Sequence, residues 1–353
     1  MSTANFRVQL EHTVRSRHSR DTLLRITVPG REVTELPSAY TDLVGLQIRG
    51  DSLVYVGSTP LEAPSVVTRT EGGEETARAT NAVGLTEPAS LSTPEVISWR
   101  TKGGAISWGI LYPAVGGPGD GRPRPMLVHM HGGPTSQVPL TWMAQAQYFA
   151  TRGWHYLIVN HRGGTGYGRA YQNQLRGRWG VVDLEDGKTG AEHILATRGA
   201  DPKRVAITGG SAGGFATLWA LTQQADFWAA GVALFPLAHI YDAVVGAHRF
   251  ERHYEETLMG PLPEAGPVWK DRSPIVHVDK MRAPVLLFHG TEDKAVPYQQ
   301  SVDFADAVRR RGGVAELVTY EGEGHGFAKE ANRRDMILRM ETFLDKYVIC
   351  LQR

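Results

Sequence analysis

From residue 95 onward, short apolar segments typical of strands alternate with segments typical of helices. The predicted strands are ISWGILYPA, PMLVHM, WHYLIVN, RVAITGG, WAAGVALFP, PVLLFHG and AELVTYEG. Helices are predicted over 138–152 and about 181–198, and in the segments SAGGFATLWALTQQ, SVDFADAVRRRG and MILRMETFLDKYV. Strands that are apolar along their whole length are buried on both faces, which favours a mostly parallel, doubly wound sheet covered by helices. We therefore predict an α/β domain over 91–353.

Residues 1–90 have a different pattern, with short alternating segments bounded by Gly and Pro turn signals. The strand-like segments are TLLRITV, LVGLQI, SLVYVGS and SVVTRT. A faint repeat aligns TLLRITVPGREVTEL, from Thr22, with SVVTRTEGGEETARA, from Ser65, and a spacing of ~40–45 residues is typical of propeller blades. Two unrelated β-hairpins would explain the alignment equally well. We predict a small all-β segment resembling propeller blades, a remnant because a closed propeller needs ~4–8 of them.

Composition excludes several partners. The 38 basic side chains nearly balance the 37 acidic ones, so nothing favours nucleic acid or an anionic membrane surface. The first twenty residues are polar and lack the apolar core of a secretory signal, and no apolar run approaches the ~18 residues of a membrane span. Cys350 is the only cysteine, which fits a reducing compartment. We expect a cytoplasmic protein without a membrane partner; the sequence leaves open whether it forms a homo-oligomer.

The strongest local motif is Gly209-Gly210-Ser211-Ala212-Gly213, a G-x-S-x-G sequence between a predicted strand and a predicted helix. That context is the one a nucleophile elbow of the α/β-hydrolase fold requires. The serine occupies a sharp turn, and Gly209 and Gly213 remove side chains that would clash where strand and helix approach. A glycine-rich turn with an idle serine is the alternative that the pentapeptide alone leaves open.

Two later motifs favour the nucleophile. Asp293 follows the strand PVLLFHG and His325 follows the strand AELVTY, so both reach the same sheet edge as Ser211. The chain order Ser, Asp, His is that of α/β-hydrolases. A weak hydroxyl nucleophile needs a base, and the base needs a third group that fixes its orientation. Glu292 competes with Asp293 for that third role.

An oxyanion hole is also predicted. His131-Gly132-Gly133-Pro134 ends a strand and is similar to the HGGG-type loop that supplies one backbone N–H. Ala212, the residue after the nucleophile, would supply the other. Loss of one such donor typically raises the barrier by ~2.7–4 kcal/mol.

Taken together, these motifs resemble the catalytic domain of the prolyl oligopeptidase family, in its branch of acylaminoacyl-peptidase and dipeptidyl-aminopeptidase-like enzymes. The segments that carry the resemblance are VHMHGGP, VNHRGGTGYGRAY, GGSAGG, DRSPIVHVDKMRAPVLLFHGTEDKAVPYQQS and GEGHGF. The resemblance implies a serine peptidase that acts on short peptides without a metal or organic cofactor. It assigns the triad to Ser211, Asp293 and His325, and the oxyanion hole to Gly133 and Ala212.

The chain departs from the family pattern in two places. Ala295 stands where the family often has an arginine that contacts substrate, and most of the propeller that precedes the hydrolase domain is missing. A carboxylesterase with the same triad is therefore an alternative, because an alkoxide leaves with less need of protonation than an amine. A fragment whose exposed strand edges drive association, without catalysis, is the third.

Other polar groups are interpreted structurally. His129 and His131 alternate on one strand, but no carboxylate is placed near them to complete a metal site. The segment 248–256, HRFERHYEE, is predicted to be a solvated helix face. Asp183 and Asp186 lie at a helix start, where acidic residues interact favourably with the helix dipole. Phe235, Leu237 and Tyr241 are candidates to line a substrate pocket.

Overall fold

The structure, a computed structural model, describes residues 9–28, 30–80, 90–116, 122–241 and 249–350. The chain divides into two compact units, the first comprising Met1–Val96 with Val138–Ala144 and the second Ile97–Gln137 with Gln145–Arg353. The domain boundary predicted after residue 90 follows a segment, 81–89, that lies outside the described residues.

The first unit contains two antiparallel sheets. Its strands are β1 (Gln9–Arg17), β2 (Arg20–Val28) and β3 (Val33–Leu36) in one sheet, and β4 (Asp42–Arg49), β5 (Ser52–Ser58), β6 (Ser65–Arg69) and β7 (Glu75–Thr80) in the other. The four predicted strand segments fall in β2, β4, β5 and β6 and are confirmed. The sequence pattern missed β1, because its polar side chains give no apolar alternation.

The apolar side chains of this unit form one core. Leu23 from β2 packs with Leu43, Leu53, Tyr55 and Val67 from the other sheet, and all five are buried. The two halves of the faint repeat coincide with the hairpins β2–β3 and β6–β7, the last two strands of each sheet. The relation of these sheets to propeller blades stays a prediction.

The second unit is built on an eight-stranded sheet with the order β15-β14-β13-β12-β10-β11-β9-β8. Its strands are β8 (Glu95–Arg100), β9 (Ile106–Tyr112), β10 (Arg124–Met130), β11 (His155–Asn160), β12 (Ala200–Gly210), β13 (Ala230–Leu234), β14 (Val285–Gly290) and β15 (Ala315–Tyr320). The six strands from β15 to β11 are parallel, and β9 runs antiparallel to β11. The predicted mostly parallel sheet is therefore confirmed.

Helices cover both faces of this sheet. They are α1 (Ala144–Ala150), α2 (Arg169–Gln172), α3 (Val182–Arg198), α4 (Ala212–Gln223), α5 (Arg249–Met259), α6 (Gly266–Asp271), α7 (Gln299–Arg310) and α8 (Glu330–Leu344). Every residue of β11 is buried. Leu157 and Val159 join a cluster with side chains of α3 and α4, whereas Tyr156 stacks on Phe149 of α1. No helix among the described residues combines the length and apolarity needed to cross a membrane.

One helix is shorter than predicted. The segment expected to be helical over 138–152 becomes helical only at Ala144. The preceding residues belong to the first unit, where the N–H groups of Leu140 and Trp142 donate hydrogen bonds to the Ser19 carbonyl and the Ser58 hydroxyl. These tertiary hydrogen bonds replace the intrahelical ones that the segment would otherwise form.

Candidate active site

Ser211 lies at the turn between β12 and α4. Its backbone has φ +57° and ψ −122°, a conformation that L-residues rarely adopt. The Ser211 N–H donates to the Leu234 carbonyl at 3.0 Å, and the Ser211 carbonyl accepts the N–H of Phe215 at 2.9 Å. These two hydrogen bonds, one to β13 and one to the first turn of α4, stabilise the strained turn, as expected for a nucleophile elbow.

The glycines of the motif allow a close approach of backbones. A Cβ added to Gly209 would lie 2.5 Å from the Gly213 carbonyl carbon, and one added to Gly213 would lie 2.0 Å from the Met130 oxygen. Both distances are far below van der Waals contact, and the atoms met belong to the main chain. The elbow can therefore pack against β10 only with glycine at these positions.

Asp293 and His325 are hydrogen bonded to each other. Nδ1 of His325 lies 2.8 Å from Oδ2 of Asp293, whose side chain is buried. The N–H groups of Ala295 and Val296 donate to the other carboxylate oxygen, each at 2.9 Å. Because a carboxylate only accepts, His325 carries its proton on Nδ1 and leaves Nε2 free to act as a base. The competitor Glu292 has an exposed side chain.

The sequence pattern missed a second histidine beside this carboxylate. Nε2 of His289, a fully buried residue near the end of β14, lies 3.3 Å from Oδ2 of Asp293 and 3.0 Å from the Val296 carbonyl. A carbonyl only accepts, so Nε2 carries the proton, and Nδ1 accepts from the Ser301 hydroxyl at 2.7 Å. The sequence signal available for this histidine was the HG pair at the end of a buried strand.

These contacts decide the charge of Asp293. Burial alone would raise the pKa of its carboxyl group, but the hydrogen bonds from His289, His325 and the Val296 N–H outweigh that effect. The pKa of Asp293 is therefore held well below its ordinary value, and the group is a carboxylate at neutral pH.

A cavity of about 150 Å³ brings the remaining predicted residues together. Ser211 and His325 line it, and so do the two predicted oxyanion-hole residues, Gly133 and Ala212. Gly133 has φ +127°, a conformation that favours glycine. Ala212 is the first residue of α4, where the N–H has no intrahelical acceptor. The cavity therefore brings together the predicted nucleophile, the predicted base and two candidate N–H donors.

The rest of the cavity wall is mostly apolar. The other lining residues are Pro134, Trp179, Leu237, Tyr254, Glu255, Ala295 and Val296. Of the candidates from the sequence, Leu237 lines the cavity and Phe235 packs on the His325 ring with centroids 4.6 Å apart. Tyr241 packs instead against the neighbouring apolar cluster.

The interpretation of 248–256 as a solvated helix face needs a correction. His248 lies outside the described residues, and the side chain of His253 is 84% exposed and pairs with Glu256, as that interpretation expects. Tyr254 and Glu255, however, line the cavity. The helix turns these two side chains toward the site, which a count of charges along the sequence cannot reveal.

His129 of β10 and His131, the residue after that strand, have separate partners. Nδ1 of His129 is hydrogen bonded to the Tyr156 hydroxyl at 3.0 Å, whereas the His131 ring stacks on His161 at 4.3 Å. Nδ1 of His131 lies 2.7 Å from the Gly132 carbonyl. Within the described ranges, no group of three His, Cys, Asp or Glu side chains has the arrangement of a metal site.

Both aspartates of α3 make structural contacts, but only Asp183 has the helix-start contact that the sequence interpretation expects. Asp183 accepts the Gly180 N–H at 2.7 Å, at the start of the helix. Asp186 is fully buried and accepts from the main-chain N and Nε of Arg162, at 2.6 and 2.8 Å. Arg162 also donates to Glu185 at 3.0 Å. These contacts tie the loop after β11 to α3.

Comparison with known proteins identifies a family and relatives that this chain resembles. Residues 141–349 match the model of the prolyl oligopeptidase family. The chain is 27% identical to the acylamino-acid-releasing enzyme of Arabidopsis thaliana, over 65% of this chain and 31% of that protein. It is 30% identical to dipeptidyl aminopeptidase BIII of Pseudoxanthomonas mexicana, over 73% of this chain and 39% of that protein.

A solved structure extends the likeness to both units. A puromycin-hydrolyzing peptidase of Mycobacterium tuberculosis superposes with a TM-score of 0.91 and 31% identity, over 96% of this chain and 52% of that one. The chain thus spans about a third of the length of these curated relatives and about half of this solved structure. The α/β-hydrolase fold and the resemblance predicted from the motifs are confirmed, and the chain belongs to the prolyl oligopeptidase family.

Proposed function

We propose that this protein is a serine hydrolase that cleaves amide bonds of short peptides through an acyl-enzyme on Ser211. The observation that carries the proposal is the 2.8 Å hydrogen bond between Asp293 and His325, in a cavity that His325 shares with Ser211. In this proposal Ser211 is the nucleophile, His325 the general base and Asp293 the residue that orients the imidazole.

Acylation follows from the tautomer of His325. With its proton on Nδ1 held by Asp293, Nε2 accepts the Ser211 hydroxyl proton as the serine oxygen attacks the substrate carbonyl carbon. The depressed pKa of Asp293 keeps a full negative charge beside the imidazolium that forms. That charge stabilises the imidazolium before it transfers the proton to the leaving amine.

The negative charge on the substrate oxygen requires its own donors. The N–H groups of Gly133 and Ala212 are the proposed pair, and both residues line the cavity with Ser211. The HGGP loop runs close to the elbow, since a Cβ on Gly132 would lie 3.6 Å from the Ser211 Cβ. Water then attacks the acyl-enzyme, with His325 again acting as base, and Ser211 is released.

The substrate class is inferred from the relatives and from the cavity. The names of the relatives mention acylamino acids, dipeptides and puromycin, and hydrolysis of an amide or peptide bond is common to them. A cavity of about 150 Å³ is smaller than the ~300–1,000 Å³ typical of sites for drug-sized ligands. It suits one amino-acid side chain or a short acyl group.

The test compares kcat/KM on an aminoacyl p-nitroanilide, an N-acetylaminoacyl p-nitroanilide and a short-chain p-nitrophenyl ester, with Ser211→Ala as the control. We expect hydrolysis of at least one anilide and a loss of about 10⁴-fold or more in the alanine variant. Hydrolysis of the ester alone would favour a carboxylesterase. Equal rates for wild type and Ser211→Ala would contradict the assignment of the nucleophile.

A further inference from the structure

The hydroxyl group of Tyr254 makes two hydrogen bonds to one residue of a loop beside the cavity. It donates to Oγ1 of Thr135 at 2.6 Å and accepts the main-chain N–H of Thr135 at 3.1 Å. Tyr254 belongs to α5, 119 residues further along the chain, and lines the cavity. Because one hydroxyl binds both the main chain and the side chain of Thr135, the two directional contacts restrict the orientation of the loop there.

Thr135 directly follows the HGGP segment, which contains one of the two proposed oxyanion donors. The N–H of Gly133 precedes that of Thr135 by two residues, so the chain keeps the two nitrogens within about 7 Å of each other. The turn is compact: a Cβ added to Gly133 would lie 3.0 Å from the Ser136 Cβ, and the Ser136 N–H donates to the Pro134 carbonyl at 3.1 Å. A displacement of Thr135 therefore moves the proposed donor as well.

A separate element holds the next residue of this loop. The Ser136 carbonyl accepts the N–H of Thr165 at 2.9 Å, and Thr165 lies in the loop after β11. A Cβ added to Gly164 would lie 2.6 Å from the same carbonyl oxygen, so the two loops approach closely. The HGGP segment is thus tied to the loop after β11 through Ser136 and to α5 through Tyr254.

Helix α5 also contributes to the surroundings of the second proposed donor. Leu258 shares one apolar cluster with Ala212 and Phe215, which belong to the first turn of α4. The Thr257 carbonyl accepts the Gly177 N–H at 3.0 Å, which ties the same turn of α5 to the segment before α3. One helix therefore supports both donor-bearing segments, the first through a hydroxyl group and the second through apolar packing.

We propose that Tyr254 is a positioning residue, which holds the loop so that the Gly133 N–H can donate to the substrate oxyanion. This inference rests on the proposed function, in which Gly133 and Ala212 are the oxyanion donors. The Tyr254 hydroxyl acts through Thr135 and needs no contact with the substrate. Donors stabilise an oxyanion best when they are in place before the charge develops, and a misplacement of about 1 Å can lower the rate by about 10²-fold.

Tyr254→Phe tests the proposal because it removes the hydroxyl group and keeps the ring. We expect kcat on an anilide that wild type hydrolyses to fall by about 10- to 100-fold, below the ~10²–10³-fold loss typical of removing an oxyanion donor itself. KM should stay nearly unchanged, since the lost interaction acts on the transition state. Thr135→Val removes only the Oγ1 acceptor and should lose less. The double variant should lose about as much as Tyr254→Phe alone, because both groups act through one contact.

A second readout separates positioning from a general loss of structure. When 2-phenylethylboronic acid binds, the Ser211 oxygen bonds to boron, the hydroxyl proton passes to His325, and an oxygen of the tetrahedral adduct occupies the oxyanion position. The amide 3-phenylpropionamide presents a planar carbonyl instead. We expect calorimetry to show that Tyr254→Phe weakens the boronic acid by about the factor lost in kcat/KM and leaves the Kd of the amide nearly unchanged.

Tyr148→Phe is the matched control. The Tyr148 hydroxyl donates to Glu341 at 2.6 Å, the length of the bond from Tyr254 to Thr135, and it joins α1 to α8. Tyr148 is not among the described residues that line the cavity. This variant loses a comparable hydrogen bond and should keep the wild-type kcat and the wild-type affinity for the boronic acid.

Three results would overturn the proposal: an unchanged kcat in Tyr254→Phe, a loss confined to KM, or an equal weakening of the boronic acid and the amide. Failure of the proposed function gives a different pattern. If wild type hydrolyses p-nitrophenyl esters but no anilide, the peptidase function fails. The kcat ratio on the ester and the two calorimetric affinities then decide the role of Tyr254.

Discussion

Nε2 of His289 lies 3.3 Å from Oδ2 of Asp293, the same oxygen that accepts the hydrogen bond from Nδ1 of His325. One carboxylate oxygen thus contacts two imidazoles. The ring of His289 is fully buried, and the Ser301 hydroxyl and the Val296 carbonyl fix its orientation from either nitrogen. We infer that His289 positions Asp293 without contacting the substrate.

Replacement of His289 tests this positioning. His289→Leu removes one hydrogen bond from the Asp293 carboxylate, and the loss of about 1 kcal/mol in a typical hydrogen bond corresponds to roughly fivefold in rate. We expect kcat to fall by that order with KM unchanged, as measured by steady-state kinetics on an aminoacyl anilide. Asp293→Asn, which removes the carboxylate itself, should cost about 10⁴-fold. Equal effects of the two variants would contradict a supporting role for His289.

The glycine at the end of the elbow motif should tolerate no side chain. Gly213→Ala would place a methyl group 2.0 Å from the Met130 carbonyl oxygen, and overpacking of this kind typically costs ~1–3 kcal/mol. We expect a lower free energy of unfolding in urea and a loss of activity, because the clash displaces the turn that carries Ser211. Gly266→Ala is the control, since a Cβ there meets nothing within 4 Å. A Gly213→Ala variant as stable and active as this control would contradict the packing argument.

Two stacked histidines should make the protein sensitive to acid. Burial, with the neighbouring His161, lowers the pKa of His131 to about 3. Burial also lowers the pKa of His161 to about 4, and the charge of Arg162 adds to that shift. In the unfolded chain both titrate near ~6.5, so between about pH 6.5 and pH 4 the unfolded state binds more protons. The free energy of unfolding should therefore decrease as the pH is lowered through that window, and it should be independent of these two histidines above it.

The measurement is the urea midpoint of wild type and His161→Phe at pH 7 and pH 5. The phenylalanine ring keeps a flat partner for His131 but cannot bind a proton, so the variant's midpoint should change less between the two pH values. His253→Gln, which replaces a histidine whose side chain is 84% exposed, serves as the control and should follow wild type. An identical pH dependence in all three proteins would refute the prediction.

The ion pair between Arg162 and Asp186 should matter far more than a comparable pair at the surface. The side chains are 4% and 0% exposed, and breaking a buried pair by removing one partner typically costs ~3–5 kcal/mol. We expect Arg162→Ala to lower the free energy of unfolding by that order in a denaturant titration. Arg282 pairs with Asp226 at 74% and 79% exposure, so Arg282→Ala should cost ~0–1 kcal/mol. Similar losses in both variants would contradict the burial argument.

An element of the fold was predictable from the sequence where its own residues determine its conformation. Seven of the eight strands of the second unit are mostly apolar, and α4 begins directly after Ser211, so these elements were predicted within a few residues. The sequence pattern missed β8, most of whose residues are partly buried or exposed. The polar strand β1 and the non-helical residues before Ala144 were not predicted either. Their conformations depend on hydrogen bonds to distant residues, such as Leu140 to Ser19, and no local pattern encodes such partners.

By itself the sequence determined the turn at Ser211, through glycines whose effect is steric and local, and the chain order of Ser211, Asp293 and His325. Tertiary structure alone decided which side chains share the cavity. Glu255 lies 44 residues after Ser211, on a helix read as solvated, and reaches the site because Tyr254 and Leu258 anchor that helix. His289 acts through Asp293 only because β14 and the following loop bring the two within 3.3 Å. Hydrogen bonds and packing act through space, so residue type and spacing along the chain cannot specify these partners.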